Sequence, residues 1–161
     1  DVYQRQPCMH AGGGLAASQP VGSFVAELGE AGQRIWATGT AAPCLSVFRP
    51  VSVQRPRDVG TPTGRQDDSL WWTFEAIHRA MLGADAGLLS DYLEDRNRVQ
   101  ARILESDETA AWQSADSWLR EQRERLPREI TGDIRPPWLR RYWQRVTRHA
   151  SHTSDLPWRP V

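Results

Sequence analysis

Lysine is absent from the chain, and all 20 basic residues are arginine. They are matched by 20 acidic residues, so formal net charge is zero and no global field draws the protein to nucleic acid or to an anionic membrane. Arginine makes the better bidentate ion pair, but codon bias in a GC-rich genome accounts for the missing lysine more simply. Cysteine is scarce too: Cys8 and Cys44 are the only two, which excludes a disulfide framework. A lone Cys8–Cys44 bridge stays open if the two segments are neighbours; reduced thiols in a cytoplasmic protein are the expected state. No run of about 18 apolar residues occurs, so no membrane partner is expected. Internal repeats and low-complexity tracts are also missing. A length of 161 residues suits one domain or part of one.

What is present divides into a strand-like first third and a helical remainder. Short apolar-rich runs lie around Cys8 and Met9, from Val21 to Leu28, from Arg34 to Thr40 and from Cys44 to Val53. Each is about strand length, and Gly, Pro and Ser clusters separate them. Ser23, Val25 and Glu27 alternate with Phe24, Ala26 and Leu28, the pattern of a half-buried strand. Strands joined this closely pair antiparallel, because a parallel crossover needs about a dozen residues or more. No later segment reads as sheet, so the meander is expected to be the base on which the helices pack.

The same stretch carries a resemblance. CMHAGG, then SQxxGS, then WxTGTxAPCLSxFxPV, followed by LWWTFEAIHR at Leu70 to Arg79, resembles the secernin and dipeptidase A family of N-terminal-nucleophile (Ntn) hydrolases. The likeness covers the C-terminal part of that family only. It implies a four-layer αββα sandwich and cleavage of short peptides or related amides, with no cofactor.

In that family the nucleophile is a cysteine made N-terminal by processing, whose own α-amino group is the base. The chemistry needs both groups, since a thiolate attacks and an amine with a pKa of about 8 can take its proton near neutrality. Here residue 1 is Asp, and Cys8 and Cys44 are internal. The expectation is a fragment, or incomplete gene product, of a larger hydrolase. Its partners would be a short peptide substrate and the missing N-terminal part of the same protein, which holds the nucleophile. Secernin relatives are also linked to regulating secretion, so a non-catalytic interaction protein is the alternative.

Candidate site residues follow from proximity to the motifs. Arg5 and His10 flank Cys8 and Met9, and related hydrolases of this fold hold the substrate carbonyl or nucleophile from strand ends. His10 titrates near neutrality and suits many site roles; it could equally order the glycine turn, and Arg5 could be a solvated charge. Thr38-Gly39-Thr40 is the substrate-binding candidate, because a glycine between two hydroxyls allows close backbone approach and leaves amides and hydroxyls for a peptide group. The plainer reading is a strand terminus. Cys44 reads as a small buried hydrophobe. Glu75 and His78 match a Glu-x-x-His half-site, but a bundle metal centre needs a second copy and further Glu residues that the chain lacks. No metal is expected.

Residues 54–67 hold prolines, glycines and charges, and read as a linker that could lie over a site as a lid. A first helix is expected from an Asp67 or Asp68 cap to Leu82, with Leu70, Trp71, Phe74, Ile77, His78 and Met81 inward. A second spans about Ala86 to Glu105. A third is capped by Asp107 and stopped by Pro127. A fourth starts at Pro136 and Pro137 and runs to about His149, with Trp138, Leu139, Tyr142, Trp143 and Val146 on one side. Its arginines interleave with aromatics, as single-stranded nucleic acid binding would need; zero net charge favours a docked helix with solvated charges, and no nucleic acid partner is expected. The fold class is therefore α+β: an antiparallel meander over residues 1–53, a linker over 54–67, helices over 68–149 and a tail over 150–161, together forming part of the αββα sandwich. A sheet that lacks its second layer should expose apolar side chains and strand edges, with a homo-oligomer as one outcome.

Overall fold

The computed structural model describes residues 19–30, 32–130 and 132–150. The expected run around Cys8 and Met9, together with Arg5 and His10, lies outside them. Three short strands, β1 (Phe24–Gly29), β2 (Gly32–Ala37) and β3 (Arg49–Pro50), precede four helices, α1 (Leu70–Met81), α2 (Ala86–Glu105), α3 (Glu108–Glu129) and α4 (Pro137–Ala150). The fold is mixed α+β, an antiparallel sheet of order β1-β2-β3 followed by helices. Among the described residues no helix is long and apolar enough to cross a membrane.

β1 and β2 form a tight hairpin in register from Phe24–Ala37 to Gly29–Gly32. Gly32 takes φ +124°, a conformation open to glycine and strained for other residues. Two expectations fail here. β1 alternates as a strand should, yet all six of its residues are exposed rather than half of them. The sheet is also not the base of the helical layer: among the described residues its main packing on the helices is that of β3 on α3. The cause is the fourth apolar run. It was expected to be a strand over Cys44 to Val53, but Pro43–Leu45 is a 3-10 turn and only Arg49–Pro50 pairs with β2. The Val51 N–H adds one further bond, to the Ile35 carbonyl at 2.9 Å. The sheet ends there, and the hairpin projects from the core.

The core lies instead between the helices and the buried segment 41–47. Phe74, Ile77 and Met81 of α1 meet Tyr92, Val99 and Ile103 of α2, Ala111, Ala115 and Trp118 of α3, and Leu139 and Trp143 of α4, with Ala42, Leu45 and Val47 among them. The helices start where short polar side chains satisfy their first amides. The Trp72 N–H donates to Ser69 Oγ (3.3 Å), the Leu88 N–H to Asp85 Oδ1 (2.9 Å) and the Ala110 N–H to Asp107 Oδ1 (2.9 Å). The cap of α1 is thus Ser69, not Asp67 or Asp68. α3 runs through Pro127 to Glu129, because a proline in the last turn removes one hydrogen bond while the Ile130 N–H still reaches the Leu126 carbonyl at 3.0 Å. In α1 the buried indole is Trp72; Trp71 is half-buried.

Trp72 fixes the 54–67 loop. Its Nε1–H donates to the Thr63 carbonyl at 3.0 Å, the Leu70 N–H to the Val59 carbonyl at 2.9 Å, and the Gln66 N–H to the Ala150 carbonyl at 2.8 Å. The loop thus rests on α1 and the end of α4. Asp67 accepts from the Thr63 and Ser69 amides at 2.8 and 2.9 Å. Desolvation pushes its carboxyl up, but the bonds from Ser69 and Thr63 outweigh that and hold it at about 2. The folded value lies below the unfolded one, so this contribution is present above about pH 4 and lost as pH falls toward 2. Asp67→Asn should therefore flatten the acid limb of a pH titration followed by Trp fluorescence, leaving the neutral spectrum nearly unchanged. An identical acid limb in the variant would refute the anchoring role.

Candidate functional site

β2 ends at Ala37, and the next residues form neither strand nor helix. The Thr38 N–H donates to the Ser23 carbonyl at 2.9 Å, and the Thr38 hydroxyl accepts from the Ser23 N–H at 3.0 Å. Thr38, expected as a substrate-binding residue, is engaged here in closing the open end of the hairpin. Gly39 is exposed and left-handed at φ +59°, with open space around a would-be Cβ. Backbone conformation, not crowding, is what demands glycine there. Thr40 is fully buried, and its hydroxyl has no hydrogen-bond partner among the described residues. Ala42 is also left-handed, at φ 43°, where a Cβ strains the backbone by about 1 kcal/mol or more. The Ala42 N–H donates to the Pro20 carbonyl at 3.3 Å.

A buried irregular segment needs partners for its peptide groups, and helix side chains supply them. Tyr92 Oη donates to the Leu45 carbonyl at 2.7 Å, and an Arg96 NH1 donates to the Cys44 carbonyl. The Gln100 amide takes both groups of Phe48, accepting from its N–H at 2.6 Å and donating to its carbonyl at 3.2 Å. These three residues stand at i, i+4 and i+8, one stripe of α2. Burial drives the Tyr92 phenol far above its ordinary value, so it stays a donor. From α3, Trp112 Nε1–H donates to the Pro50 carbonyl at 2.9 Å. Sequence reasoning marked the helix and passed over Arg96 and Gln100. The visible signal was two long polar side chains continuing the Tyr92 row.

The segment before β1 ties this wall to α1. Gln19, next to Pro20, donates from Nε2 to Glu75 Oε2 at 2.8 Å. The same oxygen contacts His78 Nδ1 at 3.2 Å, and Arg79 Nε donates to Oε1 at 2.7 Å. Arg79 reaches on to the Thr147 hydroxyl at 3.0 Å and lies 5.6 and 5.7 Å from the rings of Trp72 and Trp143. Glu75 and His78 are buried. Burial raises the Glu75 carboxyl most strongly of any single cause, but the bonds and charges of His78 and Arg79 together exceed it, and the group is held below its ordinary value. Such a carboxylate remains ionised and accepts from three sides, so it orients its neighbours and does not act as a proton donor. No group of three His, Cys, Asp or Glu side chains suited to a metal occurs among the described residues. The Glu75–His78 pair works as a hydrogen-bonded hub.

A concavity of about 520 Å³ opens between the 54–67 loop and α3, with Arg57, Trp112, Asp116 and Arg123 on its walls. Behind it Arg49 is buried, with NH2 3.3 Å from Asp116 Oδ1 and its guanidinium 5.3 Å from the Trp112 ring. Burial lowers the Arg49 pKa, and Asp116 opposes that shift. Cys44, expected to be buried, is half-buried.

Gln19-Pro20 thus bridges the 38–48 wall and α1, Pro20 accepting from Ala42 and Gln19 donating to Glu75. No family model, curated protein or solved structure matches this chain.

Proposed function

We propose that this chain forms the substrate-side wall of an Ntn-type cysteine hydrolase that cleaves short peptides or related amides. The αββα sandwich belongs to this reading, with the present sheet and helices as one part of it. The observation that carries it is the build of residues 38–48. A backbone that turns left-handed at exposed Gly39, is strained at buried Ala42 and is clamped from α2 is a costly way to join two scaffold elements. Thr40 supplies a buried hydroxyl beside it with no hydrogen-bond partner among the described residues, and this reading assigns it to a substrate peptide group. Gln19, Pro20 and the Glu75 hub hold this wall against α1.

The nucleophile comes from outside the wall. Cys44 follows Pro43 in peptide linkage and packs half-buried in the 3-10 turn, so its nitrogen is an amide and cannot be the base. In this mechanism the α-amine of an N-terminal cysteine takes its thiol proton, the thiolate attacks the scissile carbonyl to form a thioester, the ammonium gives its proton to the leaving amine, and water hydrolyses the thioester to the free acid and restores the thiol. The wall's part is to orient the peptide and exclude water.

The test is Thr40→Val in the complete reading frame that carries these residues, assayed on a dipeptide panel. The expected result is a fall in kcat/KM of about 10- to 100-fold, equivalent to about 1.4–2.7 kcal/mol of transition-state binding. In the 161-residue chain, which should hydrolyse no dipeptide, the same change should raise stability by about 1 kcal/mol, because it removes an unsatisfied buried hydroxyl. Unchanged kcat/KM in the variant, or no dipeptide hydrolysis by the complete frame, would overturn the reading.

A further inference from the structure

β1 is the outer strand of the sheet, and among the described residues its other edge pairs with no strand, with Phe24 73%, Val25 51% and Leu28 74% accessible. Two hydrogen bonds fix which of its peptide groups face outward. The Ser23 carbonyl accepts from the Thr38 N–H, so Ser23–Thr38 is a hydrogen-bonded pair, and alternation along the register makes Val25–Trp36 and Glu27–Arg34 the same. The Ile35 carbonyl accepts from the Val51 N–H on the other side of β2 at 2.9 Å, which places Ala26–Ile35 in the non-hydrogen-bonded class. The N–H and C=O groups of Phe24, Ala26 and Leu28 therefore point to the open edge.

We propose that this edge docks a second copy of the chain, β1 pairing antiparallel with the same strand of its partner about a two-fold axis at Ala26. The strand is self-complementary in that register. Phe24 falls opposite the partner's Leu28, Leu28 opposite the partner's Phe24, and Ala26 opposite the partner's Ala26, all on outward-bonding positions. Val25 falls opposite the partner's Glu27, so no like charges stand directly across from each other. Moving the axis to Leu28 sets Ala26 against the partner's Glu30, and moving it to Phe24 sets Ala26 against the partner's Gly22. Either shift loses apolar pairs. The usual protections of an edge are also missing: β1 holds no proline, no bulge and one charge, Glu27, which lies 3.8 Å from Arg34 of its own hairpin. A hairpin standing off its core is marginal alone; the pairing extends it to a four-strand ribbon with Phe24, Ala26, Leu28 and Ile35 of both copies on one face.

The register gives a sharp test in the 161-residue chain with Cys8→Ser and Cys44→Ser. Across the axis the two Ala26 Cα atoms lie about 5.5 Å apart, inside the disulfide range of about 4.4–6.8 Å. The two Leu28 positions are separated by roughly 14 Å, at about 3.4 Å per residue along the strand. Ala26→Cys should therefore oxidise to a covalent dimer and Leu28→Cys should not. Ala26→Pro removes an N–H that bonds nothing inside the hairpin, so it should halve the sedimenting mass without changing the far-UV spectrum. Equal cross-linking of both cysteine variants would overturn the proposal. So would a cysteine-free parent that stays monomeric at all concentrations, or a monomer whose β1 amides are protected from exchange by another part of its own chain. If Ala26→Pro fails to fold, the cysteine pair still decides the register.

Discussion

Replacing Glu75 by Ala should cost about 3–5 kcal/mol of unfolding free energy, measured by denaturant titration at neutral pH. The magnitude comes from what the carboxylate leaves behind. Gln19, His78 and Arg79 all direct a polar atom at its two oxygens, and the hub is nearly closed to water, the Glu75 side chain being 3% exposed and that of Arg79 15%. Without the carboxylate, the Arg79 charge stays packed near two indole rings with only Thr147 to receive it. Glu75→Gln keeps the shape and one acceptor, and should cost less. The pH dependence separates charge from packing. Because the folded-state carboxyl is held below its ordinary value of 4.5, the unfolded chain binds the proton more readily, and stability rises with pH across that region. The contribution is present above about pH 4.5 and declines as pH falls through the lower folded value. Glu75→Gln should lose that part of the slope. A variant that keeps both the wild-type stability and the wild-type acid slope would show the hub to be incidental.

The helical half was legible in the sequence because amphipathic helices are specified locally. α2 occupies the span that its apolar stripe marks out, and α3 begins at Asp107, where a short polar side chain meets the first free amides. The sheet was less legible, for a different reason. The run from Cys44 to Val53 is apolar-rich, broken by Ser46, Arg49 and Ser52, and a short apolar-rich run reads alike for a buried strand and a buried irregular segment. What distinguishes them is the source of the peptide hydrogen bonds, and those come from Tyr92, Arg96, Gln100 and Trp112, far along the chain. The site shows the same division. Thr38, Gly39 and Thr40 were visible as a motif, but Ser23's claim on the Thr38 hydroxyl and the left-handed turn at Ala42 are products of chain closure. The Glu75–His78 spacing was visible too, while Gln19, reaching it from before β1, was not. Trp71 and Trp72 make the point within one helix. Neighbours differ by about 100° around the axis, so Trp71 joins the row of Phe74, and Trp72 that of Glu75 and Arg79. Burial goes to Trp72 because the 54–67 loop supplies Thr63 as acceptor for its indole.

Trp118→Ala should destabilise the chain by about 3–5 kcal/mol, a second effect of the same size but of a different kind. Trp118 stands where three helices meet, with its ring centroid 6.4 Å from Phe74 of α1 and 5.6 Å from Tyr92 of α2. It is 3% exposed, so removing the indole opens a cavity that the helix backbones cannot close. Its Nε1–H also donates to Asp95 Oδ2 at 2.9 Å, an oxygen shared with Gln122 Nε2 at the same distance. Truncation thus removes packing first and one charge-assisted hydrogen bond second. Trp118→Phe divides the two: it keeps most of the ring volume and loses the donor, and should cost about 1–2 kcal/mol, in keeping with a hydrogen bond to a charged group. Trp138→Ala is the control, since that indole is 63% exposed on α4 and should change stability by less than about 0.5 kcal/mol. The loss should also reach the candidate site. Tyr92, which packs on Trp118, is the residue that holds the Leu45 carbonyl, so a cavity beside it frees the clamp on the 43–48 wall. Hydrogen exchange across residues 43–48 should accelerate in Trp118→Ala under conditions where the chain remains folded. An unchanged exchange rate there, with the stability loss as expected, would separate the wall from the helical core and refute the coupling.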